Sequence, residues 1–236
     1  MTTERVVSVW LRGEPSVNMK VAALLIADID TARVRVRGEP LLKHAVRGLV
    51  ESGCVGRIVV VAPPGAESIV RAVPGMPCRI LPSAATRADS VRLAFEAAGG
   101  RDAVDVVLVH DAARALVPPA TIRAVAEAVF QGAEAVAPVL PVTDTVKLVG
   151  AGDVITATED RSRLRSLQTP LGCAWKVLAE ACARGLDPLS SPPGKVRTVA
   201  GHPNAIRLVT PFDLALAEAL LLDEHEQRHP DSGGQK

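Results

Sequence analysis

Between Val104 and Leu116 the chain reads VDVVLVHDAARAL, an apolar, β-branched run that ends abruptly in charge. Val104, Val106, Val107, Leu108 and Val109 suit a strand covered on both faces, as the inner strands of a parallel sheet are. Asp111 and Arg114 then fall just past its carboxyl end. In open α/β sheets ligands bind at that edge, where a carboxylate can hold a divalent metal against phosphates and an arginine can reach an anion. The same aspartate also suits the cap of a following helix, and both readings stand at this point.

The flanking sequence keeps an α/β rhythm. Pro40 to Glu51 has Leu41, Leu42, Ala45, Val46, Leu49 and Val50 on one helical face, with Gly53 as its stop. Arg57 to Ala62 is a strand closed by Pro63-Pro64-Gly65, and Ala88 to Ala98 a helix ended by Gly99-Gly100. Pro119 to Gln131 is helical and Ala135 to Leu140 is again a strand. Alternation of this kind predicts a parallel sheet with right-handed crossovers. Val6 to Leu11 and Val21 to Ala27 are both candidates for the first strand. After Val142 the rhythm gives way to short runs around Gly150-Ala151-Gly152-Asp153, which predict a hairpin within residues 144 to 164. Thr210, Pro211 and Asp213 form an N-cap, a first-turn proline and a first-turn acid ahead of the apolar run Leu214 to Leu222. The expected organisation is one domain over residues 1–222 and a polar, fraying tail over 223–236.

Composition narrows the partners. A formal charge of +1 argues against a broad nucleic-acid surface, and two Trp, three Phe and no Tyr argue against a base-stacking platform. Cys54, Cys78, Cys173 and Cys182 make no C-x-x-C pair, which fits reduced thiols and a cytoplasmic location. No stretch reaches the ~20 apolar residues of a membrane span.

His110-Asp111-Ala112-Ala113-Arg114, Arg87-Ala88-Asp89-Ser90-Val91, the segment Pro141 to Lys147, Asp160-Arg161 and Gln168-Thr169-Pro170 occur in a telling order and spacing. In these motifs the chain, from about Val34 to Glu218, resembles the cytidylyltransferases that transfer CMP from CTP to 2-C-methyl-D-erythritol 4-phosphate in isoprenoid synthesis. The resemblance implies a Rossmann-like nucleotidyltransferase fold, a mostly parallel sheet with a protruding β-hairpin arm, and a homodimer in which the arm helps to build the second subunit's site. It also implies that Asp111 holds Mg²⁺, that Arg87 and Ser90 lie by the nucleotide, and that Arg114, Thr145, Arg161 and Thr169 hold the methylerythritol phosphate. Asp111, Arg161 and Arg207 are the implied catalytic set. The implied reaction is attack of a substrate phosphate on the α-phosphorus of CTP; such a nucleophile is already anionic, so catalysis needs positioning and charge neutralisation and no general base. His110 reads as a packing residue and Lys147 as a solvated residue of the arm.

Two segments depart from the family pattern. Its glycine-rich triphosphate loop, Ala-Ala-Gly-x-Gly-x-Arg with a later Pro-Lys, corresponds here to Lys20 to Arg37, KVAALLIADIDTARVRVR, which has no glycine. Glycine lets backbone N–H groups close on phosphate, and each bond to a charged group is worth about 1.5 to 3 kcal/mol, so two lost contacts cost about two to four decades. Arg33, Arg35 and Arg37 are either a solvated strand edge or replacements for those contacts. Nearer the C-terminus, DPLSSPPGK at Asp187 to Lys195 replaces a Thr-Asp-Asp/Glu-Ala-Ser segment and a short helix, and Arg207 stands where the family has a lysine. Two functions therefore remain open: a cytidylyltransferase using CTP, a sugar-alcohol phosphate and Mg²⁺, or a non-catalytic relative that binds a sugar phosphate or a protein.

Overall fold

The computed structural model describes residues 7–11, 14–71, 78–100, 102–191 and 193–228. In chain order the elements are β1 (Val7–Leu11), β2 (Glu14–Met19), β3 (Val21–Ile26), α1 (Ile29–Arg33), β4 (Arg35–Val36), β5 (Glu39–Pro40), α2 (Leu41–Glu51), β6 (Arg57–Ala62), α3 (Glu67–Arg71), β7 (Cys78–Pro82) and α4 (Arg87–Ala98). There follow β8 (Val106–Asp111), α5 (Pro119–Phe130), β9 (Ala135–Pro141), β10 (Lys147–Val149), β11 (Ile155–Thr158), β12 (Arg165–Leu167), β13 (Leu171–Ala174), α6 (Trp175–Ala183), β14 (Val196–Ala200) and α7 (Pro211–Arg228).

Eight strands form the central sheet. Along it run β9, β13, β8, β3, β6 and β7, with β12 and β14 also paired to β9. The β8–β3, β3–β6, β6–β7 and β9–β14 pairs are parallel, and β13 is antiparallel to both its neighbours. β12 and β13 follow β9 as two halves of one antiparallel strand, their register shifting between Leu167 and Gly172. The rival first strands are thereby told apart: Val21–Ile26 enters the sheet between β8 and β6, whereas among the described residues β1 pairs only with β2 in a separate hairpin.

β3 and β8 are buried at every residue, and their side chains alternate between two cores. Ala23, Leu25, Val106 and Leu108 pack with α2 and α5 on one face; Ala22, Leu24, Val107 and Val109 pack with α4 and α6 on the other. Gly172 in β13 has a steric reason, since a Cβ there would sit 2.6 Å from Val125 Cγ1 of α5. The four cysteines are free thiols: Cys54 lies in the first core, Cys173 and Cys182 in the second, and Cys78 is half-buried on edge strand β7.

Helix α7 begins as its sequence dictates, with Thr210 Oγ1 accepting from Asp213 N at 3.2 Å and Asp213 Oδ2 accepting from Thr210 N at 2.7 Å. It continues to Arg228, so the tail expected from Asp223 keeps helical backbone well past its start; consecutive i→i−4 bonds outlast the apolar pattern. The rest of that expected tail, 229–236, lies outside the described residues. The arm is present as the antiparallel pair β10–β11, with Leu148, Val149, Val154 and Ile155 exposed.

Candidate functional site

β3, β6 and β8 are parallel, so their carboxyl ends share one edge of the sheet, and Asp111 is the last residue of β8. The backbone there is pinned: Ala112 N donates to Ile26 O, Arg114 N to Asp111 O, and Leu208 N to Ala113 O. Beside Asp111 lies a cavity of about 260 Å³ lined by Arg87, Asp111, Arg114, Leu167, Thr169, Asp187, Leu189, Ser190 and Arg207.

The sequence motifs interlock around that cavity. Thr169 Oγ1 accepts from Asp111 N at 3.3 Å and shares a 2.8 Å hydrogen bond with His110 Nδ1. Burial drives the His110 pKa down to about 4, so the ring is neutral at pH 7 and acts as a hydrogen-bonding partner in the core. Arg114 donates from Nη1 to Ala205 O at 2.6 Å and from Nη2 to Leu167 O at 2.9 Å. Gln168 exchanges two hydrogen bonds with the backbone of His202. Ser90 Oγ accepts from Ala84 N at 3.1 Å and braces the turn before α4.

Asp111 is 7% exposed. Its Oδ1 accepts from Ala113 N at 3.0 Å and its Oδ2 from Arg207 Nε at 3.0 Å. Burial opposes its charge, but the field of Arg87, the Ala113 N–H and Arg207 outweigh that and hold the carboxyl below its usual value. Arg207 also reaches Asp28 Oδ2 at 4.0 Å, and Arg87 Nε lies 3.6 Å from Asp187 Oδ2. Nη2 of Arg87 is buried with no hydrogen-bond partner among the described residues.

These contacts bear on the residue roles read from the sequence. Asp111, Arg87, Arg114, Thr169 and Arg207 line one cavity, and Ser90 stands behind its wall. Thr145 and Arg161 do not line it: both are exposed on the arm segment, where Arg161 Nη1 donates to Thr143 O of its own chain. Of the arginines that the resemblance assigns to the substrate or to catalysis, Arg114 and Arg207 line the cavity within one chain and Arg161 does not, because it lies on the segment that follows β9. Arg114 has two of its donors bound to main-chain carbonyls, and Thr169 has its hydroxyl bound to backbone and His110. Asp187, Leu189 and Ser190 were not foreseen; the signal was an Asp followed by Ser three residues later, an Asx turn in which Leu189 N donates to Asp187 Oδ1 and Ser190 Oγ to Asp187 Oδ2.

The edge opposite Asp111, after β3, is built differently. Asp28 caps the five-residue α1, with Oδ1 accepting from Thr31 N at 2.7 Å. The chain then turns through Arg37 and Gly38, both at positive φ, as a two-residue hairpin requires. Arg33, Arg35 and Arg37 line no part of the site cavity; Arg35 donates to Gly38 O, and Arg37 faces a separate cavity beside α2.

Among the described residues no group of three or more His, Cys, Asp or Glu is gathered for a metal, and both Asp111 oxygens accept hydrogen bonds, one of them from a cation. No helix among the described residues is long and apolar enough to cross a membrane.

Residues 25–223 match the sequence model of the 2-C-methyl-D-erythritol 4-phosphate cytidylyltransferase family. The protein of that name from Saccharopolyspora erythraea is 49% identical over 208 residues, 83% of this chain and 92% of that one. The one from Nocardia farcinica is 44% identical over 201 residues, 80% and 85% of the two chains. Among solved structures, the cytidylyltransferase of the same name from Thermus thermophilus is 32% identical and superposes with a TM-score of 0.70, over 86% of this chain and 98% of that one. A 4-diphosphocytidyl-2C-methyl-D-erythritol synthase at 28% identity gives 0.75 over 86% and 100%.

Proposed function

Given that the chain belongs to the 2-C-methyl-D-erythritol 4-phosphate cytidylyltransferase family, we propose that its site descends from CMP transfer and keeps only the half that takes a small phosphorylated polyol. In that reading CTP-dependent turnover is lost. The observation that carries it is the edge after β3. A triphosphate needs a concave run of free backbone N–H groups; here the Thr31 N–H is taken by Asp28, and a carboxylate stands where negative charge would have to enter. The remaining cavity, about 260 Å³, falls below the 300–1,000 Å³ usual for drug-sized ligands and suits a short phosphorylated chain.

Arg87 and Arg207 are the proposed anion contacts, with Asp111 holding Arg207 in place and Thr169 and Arg114 fixing the walls. Should CTP bind, Arg87, Ser90 and Asp111 are the residues that would meet it, and Mg²⁺ would have to arrive on its phosphates. The domain of residues 1–222 is proposed to act in the cytoplasm as a homodimer. Its arm exposes Leu148, Val149, Val154 and Ile155, and an isolated two-stranded hairpin is only marginally stable in water, so a partner subunit supplies the cover. That geometry is also what would carry Thr145 and Arg161 to a neighbouring cavity. The retained identity to family members favours a second reading, an active transferase.

Pyrophosphate release from CTP, Mg²⁺ and methylerythritol phosphate separates the two. The proposal expects none above background, together with a melting temperature raised by methylerythritol phosphate or sulfate. Release at a rate comparable to a family enzyme assayed in parallel would restore the transferase. Light scattering at micromolar protein should give about twice the chain mass, and Ile155→Asp should lower it.

A further inference from the structure

The two segments that depart from the family's motifs have one thing in common: each brings a carboxylate to an arginine of the cavity. Asp28, in the segment that replaces the glycine-rich loop, meets Arg207 at 4.0 Å. Asp187, in the shortened Pro/Ser loop after α6, meets Arg87 at 3.6 Å. Neither carboxylate depends on the arginine for its position. Asp28 is fixed by the Thr31 N–H, and Asp187 by Leu189 N and the Ser190 hydroxyl.

The charges around the cavity are therefore matched. Arg207 is shared between Asp111 and Asp28, Arg87 faces Asp187, and Arg114 is bound to the carbonyls of Ala205 and Leu167. One buried donor, Nη2 of Arg87, has no partner among the described residues. A single anionic group in the cavity is drawn by the fields of Arg87 and Arg207. Each further negative charge on the same ligand also meets the fields of Asp28, Asp111 and Asp187, which offset the pull of the arginines, and that opposition grows in proportion to ligand charge.

We infer that Asp28 and Asp187 are specificity-determining residues that admit a ligand with a single phosphate and reject polyphosphates. The inference rests on the reading that the cavity takes a phosphorylated ligand, and it adds an active element to it. Losing a phosphate cradle leaves a polyphosphate without help; these carboxylates work against it.

Calorimetry on the full chain with inorganic phosphate and with tripolyphosphate tests this in the wild type, D28N, D187N and the double variant. Asparagine keeps one side-chain oxygen for the Thr31 N–H or the Leu189 N–H while removing the charge, the Ser190 hydroxyl turning to accept from the new amide, and unliganded melting curves check that the fold is kept. In the wild type tripolyphosphate should bind no tighter than phosphate. In the double variant the ratio of the two affinities should swing toward tripolyphosphate by about tenfold or more, with each single variant giving part of the change. A wild type that already prefers tripolyphosphate overturns the inference, whatever the variants do, and so does an unchanged ratio in a folded double variant. If no form binds phosphate at all, the phosphorylated-ligand reading fails first and the inference goes with it.

Discussion

The two lips of the cleft at the carboxyl edge of the sheet have opposite histories. The β8 side carries motifs on which the resemblance to the family rests, from His110 to Arg114 and at Gln168-Thr169; the β3 side, where the resemblance expects a glycine-rich loop, is a capped five-residue helix and a tight hairpin. The difference lies in what the side chains do without a ligand. Thr169, His110 and Arg114 satisfy buried or half-buried polar groups of the fold itself, so changing them costs stability whether or not anything binds. A glycine-rich phosphate loop serves the ligand, and once that service lapses the fold does not defend it. Retained motifs on the β8 side are accordingly weaker evidence for turnover than their number suggests.

The comparison can be broken most decisively by turnover. If the β3 lip has lost the triphosphate, CTP-dependent pyrophosphate release should lie about two to four decades or more below a family enzyme assayed alongside, and CTP with Mg²⁺ should bind no tighter than the high micromolar range. A dissociation constant near or below about 1 µM would show the two lips to be functionally equal. Next in size is Arg114→Ala, which removes two charged hydrogen bonds and should cost about 3 kcal/mol, or a melting temperature lower by about 6 to 12 °C. A loss under about 1 kcal/mol would deny the β8 lip its structural role.

The third measurement is pH. The folded His110 pKa is lowered to about 4, so between about pH 6.5 and that value the unfolded chain binds a proton that the folded one refuses, and stability falls as pH falls. Urea unfolding should therefore show about 2 kcal/mol less stability at pH 5 than at pH 7 from this group, a slope that His110→Gln should flatten. Asp111, whose folded pKa is lowered, contributes stability above the ordinary carboxylate range and gives it up only in stronger acid, through its own folded pKa. The smallest effect belongs to the replaced lip. Asp28→Ala removes one helix cap and should cost about 1 kcal/mol at most, which differential scanning calorimetry resolves.

What the sequence disclosed follows the same divide between local and distant causes. α2, α4, α5, β6 and β8 are legible because a regular apolar pattern decides them, and α7 because its cap is written in three residues. α6, β7 and β14 escaped the reading, and so did the antiparallel setting of β13, since its partners β8 and β9 lie far earlier in the chain. Val21–Ile26 finds cover on both faces from segments far along the chain, which no local pattern announces. At the site, Asp111 was legible from its place at the end of an apolar strand and Arg207 through family resemblance, but nothing local in Asp28 or Asp187 announces a cationic neighbour. Each looks like an ordinary cap, and its arginine comes from a distant segment.

The free cysteines turn the layered core into a set of clocks. Burial pushes the thiols up, Cys78 to about 11, Cys182 to about 11 and Cys173 to about 12, so all three react slowly at neutral pH, the half-buried Cys78 directly and the buried Cys173 and Cys182 only as their layers open. Cys78 sits on the edge strand and Cys173 in a strand paired on both sides. Labelling followed by mass spectrometry would thus time the fraying of the sheet from its rim to its middle in the native protein, with Cys54 and Cys182 reporting separately on its two faces.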